Sequence, residues 1–251
     1  MYDTSTRRRA LALVAQGRSL NSVSKQTGIS RAAIRSWQDR IEPLPRMLAP
    51  DPGPPADEAA YSYLLGLYLG DGCLSPHRNG GYYLRIVCAD AYPGLIELCR
   101  EAITATRPEV GVYILQREGC VTVTSYNRHW PTLFPQHGPG KKHNRTIALQ
   151  PWQQRIVDAH PWEFIRGLYH SDGCRITNWT TRVVAGERKR YEYPRYFFTN
   201  TSVDIMRLFT DTLDKLAVEW KSLHQSRAAQ TVSIARKASI ALLEARLGPK
   251  C

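Results

Sequence analysis

The chain has no Cys-x-x-Cys pair and no Cys/His spacing of the zinc-finger kind, although it holds six cysteines: Cys73, Cys88, Cys99, Cys120, Cys174 and Cys251. Scattered thiols exclude a zinc finger and argue against a secreted disulfide scaffold. No apolar run reaches membrane-spanning length, so no membrane partner is expected. Arg7-Arg8-Arg9 precedes the apolar stretch ALALVA, but that stretch is too short for a leader peptide and no cleavage pattern follows. The expected location is the cytoplasm. Acidic residues are scarce: 22 Asp and Glu face 34 Lys and Arg, a formal charge of +12. A polyanion, nucleic acid first, is the expected partner.

Three regions separate by composition. Residues 1–41 are short-helix material with eight Lys/Arg against Asp3 and Asp39. Residues 42–58 hold six prolines between Pro43 and Pro55, which favours extended, semi-rigid spacing and predicts a linker. Residues 59–158 and 159–251 are two related halves. GLYLGDGC at Gly66–Cys73 recurs as GLYHSDGC at Gly167–Cys174, 101 residues on, with six of eight positions identical. A repeat of that period is the mark of a duplicated structural unit.

In each half a helix runs into the Asp-Gly pair, and strand-type residues follow at Tyr82–Cys88 or Arg195–Thr199. A helix comes next, carrying Leu95, Cys99 and Ile103 or Ile205, Phe209 and Leu213 at apolar spacing. Two short strands follow, near Val110–Leu115 and Cys120–Ser125 or Val218–Leu223 and Thr231–Ala235, and a last helix is predicted at Ser239–Leu247. The expected fold class is α+β, two αββαββα halves preceded by a small all-α domain.

The repeated helix carries the chemistry. Gly66 and Gly70, like Gly167 and Ser171, are small residues four apart on one helix face, so two such helices can approach at their backbones. Packed side by side, they bring Asp71 and Asp172 to one end. A carboxylate there meets the negative pole of the helix, a place that favours cations. Gly72 and Gly173 are predicted as left-handed helix stops. Two close carboxylates need a proton or a cation between them. Mg²⁺ or Mn²⁺ suits hard oxygen ligands and keeps waters able to attack a phosphodiester.

YLLGLYLGDG at Tyr63–Gly72 and FIRGLYHSDG at Phe164–Gly173 resemble the paired motifs of the LAGLIDADG (dodecapeptide-type) homing endonucleases, over about residues 59–248. The resemblance implies a pseudo-twofold monomer with two antiparallel sheets saddled over double-stranded DNA. It implies metal-dependent cutting that leaves 3′ overhangs, with Asp71 and Asp172 as catalytic metal ligands beside Gly70 and Ser171. The family also tends to place a basic residue after the last strand of a half. Arg236-Lys237 after TVSIA fits, with Lys237 as the catalytic lysine; alternatively the pair is a solvated strand end. Aligning Val121/Val123 with Val232/Ile234 sets Tyr126 opposite Lys237 and Arg128 two residues on, so the first half departs from the pattern.

Further DNA contacts are expected from Lys141 and Lys142 in GKKHNR and from Arg128, Arg236 and Arg85. Other strand candidates are Tyr83, Gln116, Thr122, Thr124, Asn178, Arg195 and Thr199, about half of which alternation aims at DNA. His170 either polarises water or is a buried structural residue. Residues 19–40 resemble a helix-turn-helix: Gly28 makes the turn, Ser30 caps the second helix, and Arg31, Arg35 and Gln38 face outward. A helix at Thr6–Gln16 would complete a homeodomain-like unit, and a protein-binding three-helix unit is the alternative. For the whole chain, the alternatives to an endonuclease are a non-catalytic regulator with a helix-turn-helix and an intron RNA maturase. The expected setting is bacterial or phage-encoded, associated with the nucleoid.

Overall fold

A computed structural model describes residues 2–42, 53–78, 80–223 and 229–250, so most of the predicted linker lies outside the described residues. The chain divides into two compact units, Met1–Asp51 and Pro52–Cys251. No helix among the described residues is long and apolar enough to cross a membrane.

The first unit is three short helices, α1 (Thr4–Ala15), α2 (Leu20–Thr27) and α3 (Arg31–Asp39). Each begins at a residue whose side chain accepts a free backbone N–H: Asp3 from Thr6, Ser19 from Ser22 and Ser30 from Ala33. Gly28, at φ 71°, ends α2. Ala10, Val23, Ile29, Ile34 and Trp37 form the core. Arg7 donates to the carbonyls of Tyr2 and Ile41 and lies 5.3 Å from the Trp37 ring centre, fastening both ends of the unit to α3. Arg31, Arg35 and Gln38 are exposed, on the side of α3 away from Ile34 and Trp37.

The second unit holds two αββαββ passes. The first is α4 (Glu58–Asp71), β1 (Gly72–Pro76), β2 (Tyr82–Ala89), α5 (Pro93–Thr106), β3 (Val112–Arg117) and β4 (Cys120–Asn127). Two short helices follow, α6 (Trp130–Leu133) and α7 (Pro151–Ala159). The second pass is α8 (Pro161–Asp172), β5 (Gly173–Val184), β6 (Glu187–Asn200), α9 (Val203–Lys215), β7 (Lys221–Leu223), β8 (Gln230–Ile234) and the closing α10 (Lys237–Arg246). The sheets are antiparallel and equivalent in order, β1-β2-β4-β3 and β5-β6-β8-β7. Tyr61 through Leu69 are all buried, so α4 is wrapped by protein on every side and reads as uniformly apolar. Helices cover one face of each sheet, through Leu84, Ile86 and Val123 in one and Tyr196 and Phe198 in the other. Within the second unit, no helix among the described residues packs on the opposite faces.

Candidate active site

The helices α4 and α8 touch at their backbones. A Cβ on Gly167 would lie 2.1 Å from the Tyr63 carbonyl oxygen and 3.0 Å from Gly66 Cα. One on Gly66 would lie 2.5 Å from the Phe164 carbonyl, and one on Gly70 would lie 1.8 Å from Ser171 Oγ and 2.9 Å from Asp172 Oδ2. Only glycine fits Gly66 and Gly167, and the close approach sets the two Asp-Gly corners side by side.

Both corners correct the predicted glycine geometry. Gly72 (φ −92°, ψ 155°) and Gly173 (φ −93°, ψ 160°) are extended rather than left-handed. Each helix passes directly into a strand, with Gly72 opposite Ile86 and Gly173 opposite Phe198. Glycine is needed for space: a Cβ would meet Tyr68 Cα at 2.5 Å or the Tyr169 carbonyl at 2.7 Å.

Asp71 is exposed and Asp172 half-buried. Asn200 Nδ2 donates to Asp172 Oδ2 at 2.7 Å, and its amide is oriented by Ser202 N–H donating to Oδ1 at 2.8 Å. Burial, then repulsion from Asp71, pushes the Asp172 carboxyl up to about 6 against the pull of Asn200, Lys142 and Lys250.

Those two lysines form a matched pair. Lys142 Nζ donates to the carbonyls of Tyr68, Leu69 (3.0 Å) and Gly70 (2.8 Å) at the end of α4. Lys250 Nζ donates to those of Ser171 (3.1 Å) and Gly173 (2.6 Å) at the end of α8. Each also lies near the equivalent ring, Lys142 at 5.1 Å from Tyr68 and Lys250 at 5.6 Å from Tyr169. The ammonium groups satisfy orphan carbonyls at the negative helix poles. Burial lowers Lys142 to about 8 and also lowers Lys250, both opposed by the two aspartates. A groove of about 960 Å³ opens on Lys142, Asp172 and Asn200, and one of about 450 Å³ on Lys250 and Cys174.

Lys237 is exposed at the first turn of α10, and the leading charge effects on Asp172 come from Asp71, Lys142 and Lys250. Neighbouring Arg236 pairs with Glu219 at 2.9 Å, both exposed. A lysine from outside the strand ends, Lys142 or Lys250, stands at the end of each Asp-Gly helix. Lys250 and Asn200 were not anticipated. The signal for Lys250 is a Gly-Pro shortly before a lysine in both places, Gly138-Pro139 ahead of Lys142 and Gly248-Pro249 ahead of Lys250.

His170 is buried, with Nδ1 2.9 Å from the Tyr63 hydroxyl, and burial lowers it to about 4; it is a neutral structural residue joining α8 to α4. Lys141 and Arg128 are exposed. Strand pairing puts Tyr83, Arg85, Thr122, Thr124, Asn178, Arg195 and Thr199 on the helix-free faces, and Gln116 alone, opposite the buried Val121, on the other. Arg85 donates to Ser75 Oγ at 3.1 Å and Arg195 to Ser233 Oγ at 2.7 Å.

The donor set at the seam is all oxygen: two carboxylates and Ser171 Oγ, which is buried without a partner, whereas the Gly70 and Ser171 carbonyls expected beside them already accept from Lys142 and Lys250. Among the described residues no three His, Cys, Asp or Glu cluster to enclose a metal. An open, oxygen-only set fits a hard divalent cation that completes its shell with water or phosphate.

No family model and no curated protein sequence matches the chain. Solved structures do. I-DmoI in complex with DNA and Mn is 14% identical, covering 76% of this chain and 98% of that one, with a TM-score of 0.50. A point variant of I-DmoI in complex with its target DNA in the presence of Mg is 15% identical, covering 76% and 97%, with a TM-score of 0.51. At such identity the likeness is one of architecture, and it agrees with the duplicated sheets and the paired helices: the chain has the LAGLIDADG fold.

Proposed function

We propose that the protein is a divalent-metal-dependent endonuclease acting on double-stranded DNA as a single pseudo-twofold chain. The observation that carries this reading is the backbone-contact seam that brings the ends of the two Asp-Gly helices together, with Asp71 and Asp172 close enough to repel and a half-buried lysine at each helix end. The fold it shares with I-DmoI, seen with DNA and Mn, supports it.

Asp71 and Asp172, with Ser171 Oγ beside them, are the residues to hold Mg²⁺ or Mn²⁺. A cation bound there supplies Lewis acidity and an activated water. The chain's own groups do the rest. Asn200 fixes the Asp172 carboxylate, and Lys142 and Lys250 pin the helix ends and set positive charge where a phosphate would lie. Arg85 and Arg195 on the helix-free faces have the forked donors that read guanine in the major groove. In the first unit, Arg31, Arg35 and Gln38 form a second DNA-contacting surface with the geometry of a recognition helix.

The test is cleavage of DNA flanking the gene with its insert removed. Wild type with Mg²⁺ cuts, and Asp71→Asn and Asp172→Asn bind without cutting. A protein that binds that duplex yet leaves it intact with both Mg²⁺ and Mn²⁺ is a DNA-binding regulator instead.

A further inference from the structure

Five cysteines lie among the described residues, and they differ in access: Cys88 and Cys99 are buried, Cys120 is half-buried, and Cys73 and Cys174 are exposed. The exposed pair holds equivalent places in the repeat, each directly after the glycine of an Asp-Gly corner. Cys73 pairs with Arg85, while its neighbour Leu74 meets the buried Leu84, so alternation puts the Cys73 thiol on the helix-free face of its sheet. Cys174, opposite Phe197 and between rungs that carry the buried Tyr196 and Phe198, lies on the same face of the other sheet.

Their surroundings are unequal. Cys73 lines the groove of about 960 Å³, where Lys141, Lys142 and His143 stand against the carboxylate of Asp172. The Tyr68 hydroxyl borders this groove, buried and with no hydrogen-bond partner. A buried donor left in that state costs stability until an acceptor reaches it. Cys174 lines the groove of about 450 Å³, where Arg175 is already paired with Glu244 at 2.7 Å and Lys250 is the other cation. Among the described residues no orphaned donor borders that second groove.

We propose that Cys73 is a site of thiol–disulfide exchange with a small anionic disulfide, and that the resulting adduct closes the groove to DNA. The inference rests on the endonuclease reading above. The Cys73 sulfur attacks one sulfur of the disulfide, a new S–S bond forms as the old one breaks, and the departing small thiol takes up the Cys73 proton. The small disulfide is thereby reduced to a thiol and Cys73 oxidised to a mixed disulfide, so no further oxidant is needed. A groove of this volume accommodates a tripeptide-sized group. Carboxylates on that group meet Lys141 and Lys142, and the Tyr68 hydroxyl gains an acceptor. Seated on the helix-free face beside Asp71, the group fills the space and offsets the positive charge that a phosphate would meet.

The test compares full-length wild type, Cys73→Ser and Cys174→Ser, each treated with oxidised glutathione. Intact mass and peptide mapping locate the adduct; binding of the gene-flanking duplex in Ca²⁺ and its cutting in Mg²⁺ give the effect. Wild type should gain the adduct first at Cys73, lose binding and cutting at least about tenfold, and recover both with dithiothreitol. Cys73→Ser cuts as wild type does before treatment and keeps cutting after it, whereas Cys174→Ser responds as wild type does. Cystamine, which would leave a cationic group, reacts more slowly at Cys73. Preferential modification of Cys174, an adduct at Cys73 that leaves binding and cutting intact, or faster reaction with cystamine overturns the proposal and leaves the endonuclease reading standing. An untreated wild type that neither binds nor cuts the duplex overturns both.

Discussion

A methyl group at Gly167 should separate the two halves of the site. A Cβ there would lie 2.1 Å from the Tyr63 carbonyl oxygen, with Gly66 Cα and Leu67 N at 3.0 Å. Carbon is comfortable at roughly 3.5 Å from such atoms, so α4 must recede by about 1.4 Å. All three obstacles are backbone of a buried helix, and no side-chain rotation relieves them. Overpacking costs about 1–3 kcal/mol where side chains can adjust and more where they cannot, while alanine returns about 1 kcal/mol in helix propensity. Gly167→Ala should therefore cost about 3 kcal/mol. Gly70→Ala meets Ser171 Oγ at 1.8 Å and Ser171 Cβ at 2.5 Å, a side chain that can partly give way, and should cost about 1–2 kcal/mol. Adding Ser171→Gly should recover at least half of that, a coupling of about 1 kcal/mol. Urea unfolding followed by tryptophan emission, with equal m-values, measures all of these. A loss below about 1 kcal/mol for Gly167→Ala, or one no greater than that of Gly70→Ala, would refute the backbone-contact argument.

The metal-free protein should show opposing acid responses from the half-buried Asp172 and the buried His170. The Asp172 carboxyl, raised to about 6, weakens the fold as pH climbs from about 4 through 6; discounted for partial exposure, Asp172→Asn should stabilise it by about 1–2 kcal/mol at pH 7 and abolish stabilisation by Mg²⁺. His170, lowered to about 4, contributes stability that is lost as pH falls from 6.5, so in the Asp172→Asn background acid sensitivity over that window should become steeper in thermal melts; a flatter profile contradicts the assignment. Lys142→Met and Lys250→Met should each cost about 1–3 kcal/mol through unsatisfied carbonyls and convert double cuts on a plasmid target into nicks, an outcome that Lys237→Met should not reproduce. Arg31→Ala/Arg35→Ala should lower the salt slope of DNA binding by about 2 without changing the cutting rate at saturation; an unchanged slope removes α3 from the interface.

The parts legible in the sequence are those where a local pattern and a tertiary demand coincide. The apolar periodicity of α5 and α9, the caps Ser19 and Ser30, and the duplicated Gly-Leu-Tyr…Asp-Gly-Cys are visible because each residue type has one physical reason to be there. The long β5–β6 hairpin was not legible beyond Arg195–Thr199, because Thr181 through Glu192 are exposed on both faces and leave no apolar alternation to read. Lys250 escaped because its partners lie 77 and 79 residues away, and a cap made in space has no spacing in the chain. The left-handed expectation for Gly72 and Gly173 failed because Asp-Gly at a helix end suggests a turn, whereas here the demand on glycine is volume beside Tyr68 and Tyr169.

The seam also bears on which halves can pair. Gly70 faces Ser171, and there is no room for a hydroxymethyl on both sides. A self-paired second half would set serine against serine and collide, whereas a self-paired first half would set glycine against glycine and lose contact. The unlike pair at this one position therefore favours the two different halves together over two copies of either.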